Sequence, residues 1–196
     1  VKFYTGEELL ADVIVGRFSY NNTTRSGISY LRLYNEEGIY ATDGFIPMEV
    51  NQPFNQWRNK LVFKGDKNNF SKLVFNYPVD SGFVLVKENN KWKIDTAFAD
   101  SSKVEQYLNS ISHVNSSSFE DNYTGINSVI TLAIEGNNMN QATIKAFPSD
   151  SIRKFFIHSS DNPEVFFSAG NEKLDEKFFK GKNYFLSTSV NKKSVK

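Results

Sequence analysis

The stretch Gly82–Val114 constrains the fold more than any other part of the sequence. Phe83-Val84-Leu85-Val86 and Trp92-Lys93-Ile94 flank a polar link, Glu88-Asn89-Asn90-Lys91. Asparagine tolerates the positive φ that the central positions of a tight hairpin turn require. With Asn89-Asn90 as a two-residue loop, Leu85 stands opposite Ile94 and Lys87 opposite Trp92. The aliphatic stem of Lys87 then lies along the indole. Ser102 followed by Glu105 reads as a capping box, and Val104, Tyr107, Leu108 and Ile111 follow at helical spacing. A hairpin thus hands its apolar face to an amphipathic helix, and neither carries a catalytic motif.

The rest of the chain has to supply strands to extend that unit, and its composition suits the task. Of 196 residues, 39% are hydrophobic and 15% aromatic, enough for a core, and the 18 Phe and 9 Tyr favour strands. Lys and Arg number 23 against 22 Asp and Glu, so a net charge of +1 gives no global field to draw in nucleic acid. With no cysteine, disulfides, thiolate metal ligands and a cysteine nucleophile are excluded. The longest uncharged apolar stretch, around Ile126–Ile134, is far short of a membrane span.

Read in order, residues 1–20 are two strands about a Gly6-Glu7-Glu8 turn, the second over Ala11–Phe18. The alternation of residues 28–34 puts Ile28, Tyr30, Arg32 and Tyr34 on one face and Ser29, Leu31 and Leu33 on the other. Asp43–Lys60 is mixed, with a short helix predicted near Pro53–Asn59. Leu61–Phe63 and Leu73–Tyr77 flank a polar linker, Lys64–Asn69, and His113 ends the helix of the organising unit. Val129–Glu135, Ala142–Phe147, Phe155–His158 and Val165–Ser168 are strands, and Lys173–Phe179 is a short helix.

An internal repeat emerges from this order. Residues 2–18 align with 132–147, Gly6 on Gly136 and Phe18 near Phe147. Residues 30–44 align with 156–170, Tyr40-Ala41 on Phe166-Phe167, and Arg58-Asn59-Lys60-Leu61 falls on Lys182-Asn183-Tyr184-Phe185. The expected organisation is residues 1–68 as the C-terminal half of a first repeat unit, 69–188 as a complete second unit, and 189–196 as a disordered basic tail. The front half of the first unit, a hairpin and a helix like residues 82–114, is expected upstream of Val1. The fold class is α+β, mainly antiparallel sheet with a few packed helices.

These residues carry a resemblance. Tyr30-Leu31-Arg32-Leu33, Gly38–Gly44, Trp57-Arg58-Asn59-Lys60, Phe83–Ile94 with its Trp92, Ala99-Asp100 and the helix Val104–Ile111 together resemble the bacterial family called domain of unknown function 4340. The likeness covers most of residues 1–123. It implies an extracytoplasmic (periplasmic) envelope protein, membrane-anchored through an N-terminal segment that is absent here. It also implies a setting beside ABC-type transport or gliding-motility components. It supplies no catalytic residues.

Candidate sites are few. Trp57-Arg58 has the composition of a partner-binding anchor, or Trp57 closes the core while Arg58 pairs with Asp43. Trp92 is expected in core packing. His113 and His158 lack metal-ligand spacing, and Asp66-Lys67-Asn68-Asn69 lacks the glycine and glutamate of a calcium loop. Nucleophile-elbow, phosphate-loop and dinucleotide fingerprints are absent. The reading is a non-catalytic binding or scaffolding module with no cofactor and no nucleic acid, its partner a protein of a membrane complex. Its candidate interaction or structural residues are Asp43, Trp57, Arg58 and Trp92. The alternative is a glycan- or small-ligand-binding module, for which Tyr4, Tyr30, Tyr34 and Tyr40 would form an exposed coplanar cluster.

Overall fold

The computed structural model describes residues 1–79, 81–123, 125, 127–149, 155–170 and 172–186. The expected basic tail, 189–196, lies outside the described residues. The chain divides into two compact units, Val1–Arg58 and Asn59–Lys196.

In the first unit, β1 (Lys2–Thr5), β2 (Glu8–Asn21), β3 (Ser26–Leu33) and β4 (Tyr40–Asp43) form an antiparallel meander in chain order. Two short helices follow, α1 (Ile46–Val50) and α2 (Phe54–Trp57). Gly6, at φ 59°, makes the first turn, and Asn21 Oδ1 accepts from the N–H groups of Thr23 and Thr24 to shape the second. A bulge between Val15 and Phe18 brings Gly16 so close to β3 that a Cβ there would lie 3.0 Å from the Tyr30 carbonyl oxygen. Ser29, fully buried, donates from Oγ to the Gly44 carbonyl at 2.8 Å and accepts from the Ile46 N–H at 3.0 Å, pinning the start of α1. Phe45 meets Phe18 edge-on at 5.4 Å. Sequence periodicity misses α1 because five residues with no side-chain cap leave little pattern.

In the second unit, β5 (Leu61–Lys64) is followed by β6 (Phe70–Asn76), β7 (Phe83–Glu88), β8 (Lys91–Ile94) and β9 (Ala97–Phe98). Helix α3 (Ser101–Ile111) leads to β10 (His113–Asn115) and β11 (Phe119–Glu120). A second meander, β12 (Ile130–Gly136), β13 (Ala142–Pro148), β14 (Phe155–Ser159) and β15 (Phe166–Ser168), ends in α4 (Leu174–Phe178) and α5 (Lys182–Phe185). Nine strands form one antiparallel sheet in the order β11-β15-β14-β13-β12-β6-β7-β8-β9, and β5 pairs with β10 apart from it. The fold is therefore α+β and mainly antiparallel sheet, as the sequence pattern implies.

The organising hairpin has the expected register, Leu85 opposite Ile94 and Lys87 opposite Trp92, with Asn89 and Asn90 at φ 47° and 61°. Val104, Tyr107, Leu108 and Ile111 are the buried face of α3. Its cap differs from the expectation. Asp100, not Ser102, closes the N-terminus, its carboxylate accepting from the N–H groups of Ser102 and Lys103 at 2.9 and 3.1 Å. An aspartate satisfies those orphan donors with full charge, and Ser102 lies too deep in the first turn to cap. The helix stops at Ile111, so His113 opens β10 instead of ending the helix.

The division between units also falls ahead of the polar linker, at Arg58/Asn59. Strand β5 pairs with β10, and the Asn162 side chain donates to the carbonyls of Asn59 and Leu61, both at 3.0 Å. These bonds hold residues 59–64 in the second unit. The Lys64–Asn69 linker is instead a turn, with the Asn68 N–H donating to Asp66 Oδ1 at 2.9 Å.

The hydrophobic core lies in the second unit. Leu73, Phe75, Phe83, Leu85, Ile94, Leu132, Ile134, Ile144 and Ile157 line one face of the sheet, beneath α3, α4 and α5. Phe185 is fully buried between Tyr107, Phe75 and Phe83, with ring centroids 5.1, 5.8 and 5.9 Å away. Such aromatic contacts add roughly 0.5–1.5 kcal/mol each beyond area burial. The first unit has nothing comparable: its buried residues are Gly27 and Ser29 alone.

Candidate interaction surface

The first unit is where apolar side chains meet solvent. Phe3, Tyr4, Leu9, Leu10, Ile14, Ile39, Tyr40, Met48, Phe54 and Trp57 are among its exposed large hydrophobics, whereas the second unit exposes only Val79, Val84, Phe98 and Val129 among the described residues. Singly exposed apolar residues need no explanation, but a contiguous set does.

One part of that set is a built groove. Strand register puts Ile14 opposite Arg32 and Tyr30 opposite Ala41, on the sheet face turned away from Ser29. Ile14, Gly16, Arg17, Tyr30, Arg32 and Ile39 line an open hollow of about 320 Å³. Gly16, within the bulge, brings no side chain to the hollow, and Arg17 beside it is among the lining residues. Arg32 Nη1 donates to the Glu36 carbonyl at 3.0 Å, which fixes the second guanidinium beside the apolar floor. Nearby, the Tyr40 hydroxyl donates to Glu36 Oε2 at 2.8 Å, and that bond to a carboxylate holds the phenol above its ordinary pKa. Ile39 is 72% exposed. Aromatic and aliphatic floor with arginine rim is a composition suited to protein contacts.

The residues singled out in the sequence fall in several places. Trp57 ends α2 and is 61% exposed, so it does not close a core. Arg58 follows it, with its guanidinium 5.7 Å from the Phe54 ring centroid and Nη1 donating to Asn55 Oδ1 at 3.3 Å. Asp43 is exposed at the end of β4, opposite Ile28. Trp92 belongs to the second unit, partly buried against the core and opposite Lys87. Trp57 and Arg58 therefore share one short helix end, while Trp92 serves another unit. Tyr4, Tyr34 and Tyr40 are exposed, and among the described residues no ring contact joins any two of them or Tyr30. The groove is half legible in the sequence, since alternation alone puts Tyr30 and Arg32 on one face. Arg17 and Ile39 depend on the bulge and on the β3–β4 link, for which no local signal exists.

Among the described residues, no group of three or more His, Asp or Glu could hold a metal ion. No helix there is long and apolar enough to cross a membrane. His158 ring Nε2 lies 3.0 Å from the Pro163 carbonyl, and the imidazole sits beside Phe166 on the outer face of the sheet.

Fold and surface together define an antiparallel α+β protein with a shallow, arginine-rimmed apolar groove. The chain belongs to the family described as "Domain of unknown function (DUF4340)", whose model matches residues 5–129. That match runs across the division at Arg58/Asn59, covering most of the first unit and the front half of the second. No curated protein and no solved structure matches the chain.

Proposed function

We propose that the protein is a non-catalytic, extracytoplasmic binding or scaffolding component of a bacterial membrane-associated complex. The family resemblance suggests an ABC-type transport or gliding-motility setting. The observation that carries this reading is the groove that Ile14, Tyr30 and Ile39 line together with Arg17 and Arg32. Its occupant is a protein segment with apolar side chains for the floor and carboxylates for the rim. Opposite charge across an interface speeds encounter and fixes register.

Cross-linked recovery of the natural full-length protein from its host's membranes tests this. Transport or motility components are expected at stoichiometric levels, and the double reversal Arg17→Glu/Arg32→Glu is expected to lower their recovery about tenfold or more. Recovery of the protein alone, from the soluble fraction, would overturn the proposal.

A further inference from the structure

Positive charge in the second unit is concentrated where α3, α4 and α5 meet. Residues 177–196 contain six lysines and no Asp or Glu, in a chain whose net charge is +1. Lys177 of α4 and Lys180 just beyond it line an open hollow of about 310 Å³, together with Gln106 of α3 and Tyr184 of α5. Lys103 reaches the same ring from the first turn of α3. Its ammonium lies 5.3 Å from the Tyr184 ring centroid, and that of Lys180 lies 5.5 Å from it. The ring attracts each cation, but two like charges gathered on one ring repel each other.

The acids that line the hollow are engaged with other groups. Glu172 Oε1 accepts from the Ser117 N–H at 3.2 Å and from Ser118 Oγ at 3.1 Å, and Glu176 pairs with Lys173 at 3.8 Å. Lys182, the next lysine in sequence, pairs with Asp95 at 2.6 Å. Among the described residues, no carboxylate pairs with Lys103, Lys177 or Lys180. Lys177, Lys180 and Tyr184 are half-buried, so a ligand in the hollow enters a recess.

We infer that this hollow binds a phosphate group, held by the ammoniums of Lys103, Lys177 and Lys180 beside the Tyr184 ring. Lysine binds phosphate as a compact point charge with three donors, and a phosphate group offers several strongly accepting oxygens to ammoniums arriving from different elements. A single side-chain carboxylate brings one charge on two oxygens and serves three ammoniums less well. The bound phosphate offsets the repulsion between the cations that share the ring. It arrives either as a free phosphate or as the headgroup of an anionic lipid, which present the same chemistry to the hollow. The site belongs to the second unit and the groove of Arg17 and Arg32 to the first, so this inference and the partner-binding proposal fail separately.

The test gives the purified 196-residue chain two probes: inorganic phosphate, and phosphatidylcholine vesicles with and without phosphatidylglycerol. A free-phosphate site gives saturable NMR shifts at the Lys103, Lys180 and Tyr184 amides that chloride at equal ionic strength does not reproduce. A headgroup site gives co-sedimentation with the phosphatidylglycerol vesicles alone. With whichever probe binds, Lys103→Gln/Lys180→Gln should lower affinity about tenfold or more, and the charge-matched Lys192→Gln/Lys193→Gln by no more than about threefold. Both variants should keep the parent's urea midpoint, since neither pair of lysines is buried in the core. Equal losses in the two variants would mean attraction by charge alone and would overturn the inference. So would a chain that binds neither probe.

Discussion

The Tyr107 hydroxyl donates to the main-chain carbonyl of Phe178 at 2.6 Å, joining the buried face of α3 to the end of α4. Both residues are buried, so the bond is made away from water. Replacing Tyr107 by Phe keeps the ring and leaves that carbonyl without its donor. Such a change costs about 1–3 kcal/mol. Urea unfolding should show a lower midpoint with an unchanged slope.

Two tyrosines make the second unit sensitive to alkali. Burial pushes the Tyr77 phenol up to about 12 and holds that of Tyr107 well above its ordinary value. Tyr77 also donates to the Lys180 carbonyl at 2.8 Å. In the unfolded chain each ionises near 10, so above that pH the unfolded state holds fewer protons than the folded one. Stability is therefore full below about pH 10 and falls as pH rises towards 12 and beyond. Urea midpoints measured across this window should fall with pH, and Tyr77→Phe should flatten the early part of the decline.

The cap of α3 separates two readings of one sequence. Asp100→Ala should cost about 0.5–2 kcal/mol, because two helix N–H groups lose their acceptor. Ser102→Ala should change stability by no more than about 0.5 kcal/mol. Thermal unfolding of both variants decides between them, and a larger loss for Ser102→Ala would restore the capping-box reading.

Close approach of backbone to backbone marks Gly136. It sits at the bulge between β12 and β6, where an added Cβ would lie 2.4 Å from the Asn69 carbonyl oxygen. Backbone cannot swing aside as a side chain can, so Gly136→Ala should destabilise by about 1–3 kcal/mol, read from the urea midpoint. Gly6→Ala meets no neighbour and strains only its own turn, at φ 59°.

How much is legible in the sequence depends on whether a signal is local. The Asn89-Asn90 turn, the Leu85–Ile94 register and the buried face of α3 each rest on residues close in sequence, and the structure holds all three. The pairing of β6 with β12 joins residues far apart in sequence, and nothing in either strand names its partner. The helix cap is misplaced by sequence alone because Ser102 and Asp100 both suit a helix start, and only the backbone at Asp100 decides. For Trp57 the sequence leaves both a partner-binding anchor and a core-closing ring open, and its 61% exposure excludes the second.

The second unit holds the hydrophobic core, and the first unit has none. The most direct test of that claim is the urea unfolding of Trp57→Ala and Phe185→Ala in the 196-residue chain. Phe185→Ala should cost about 3–5 kcal/mol, as removal of a fully buried ring does. Trp57→Ala should stay within about 0.5 kcal/mol of the parent. A loss at Trp57 comparable to that at Phe185 would mean that the indole is already enclosed, and would contradict the claim.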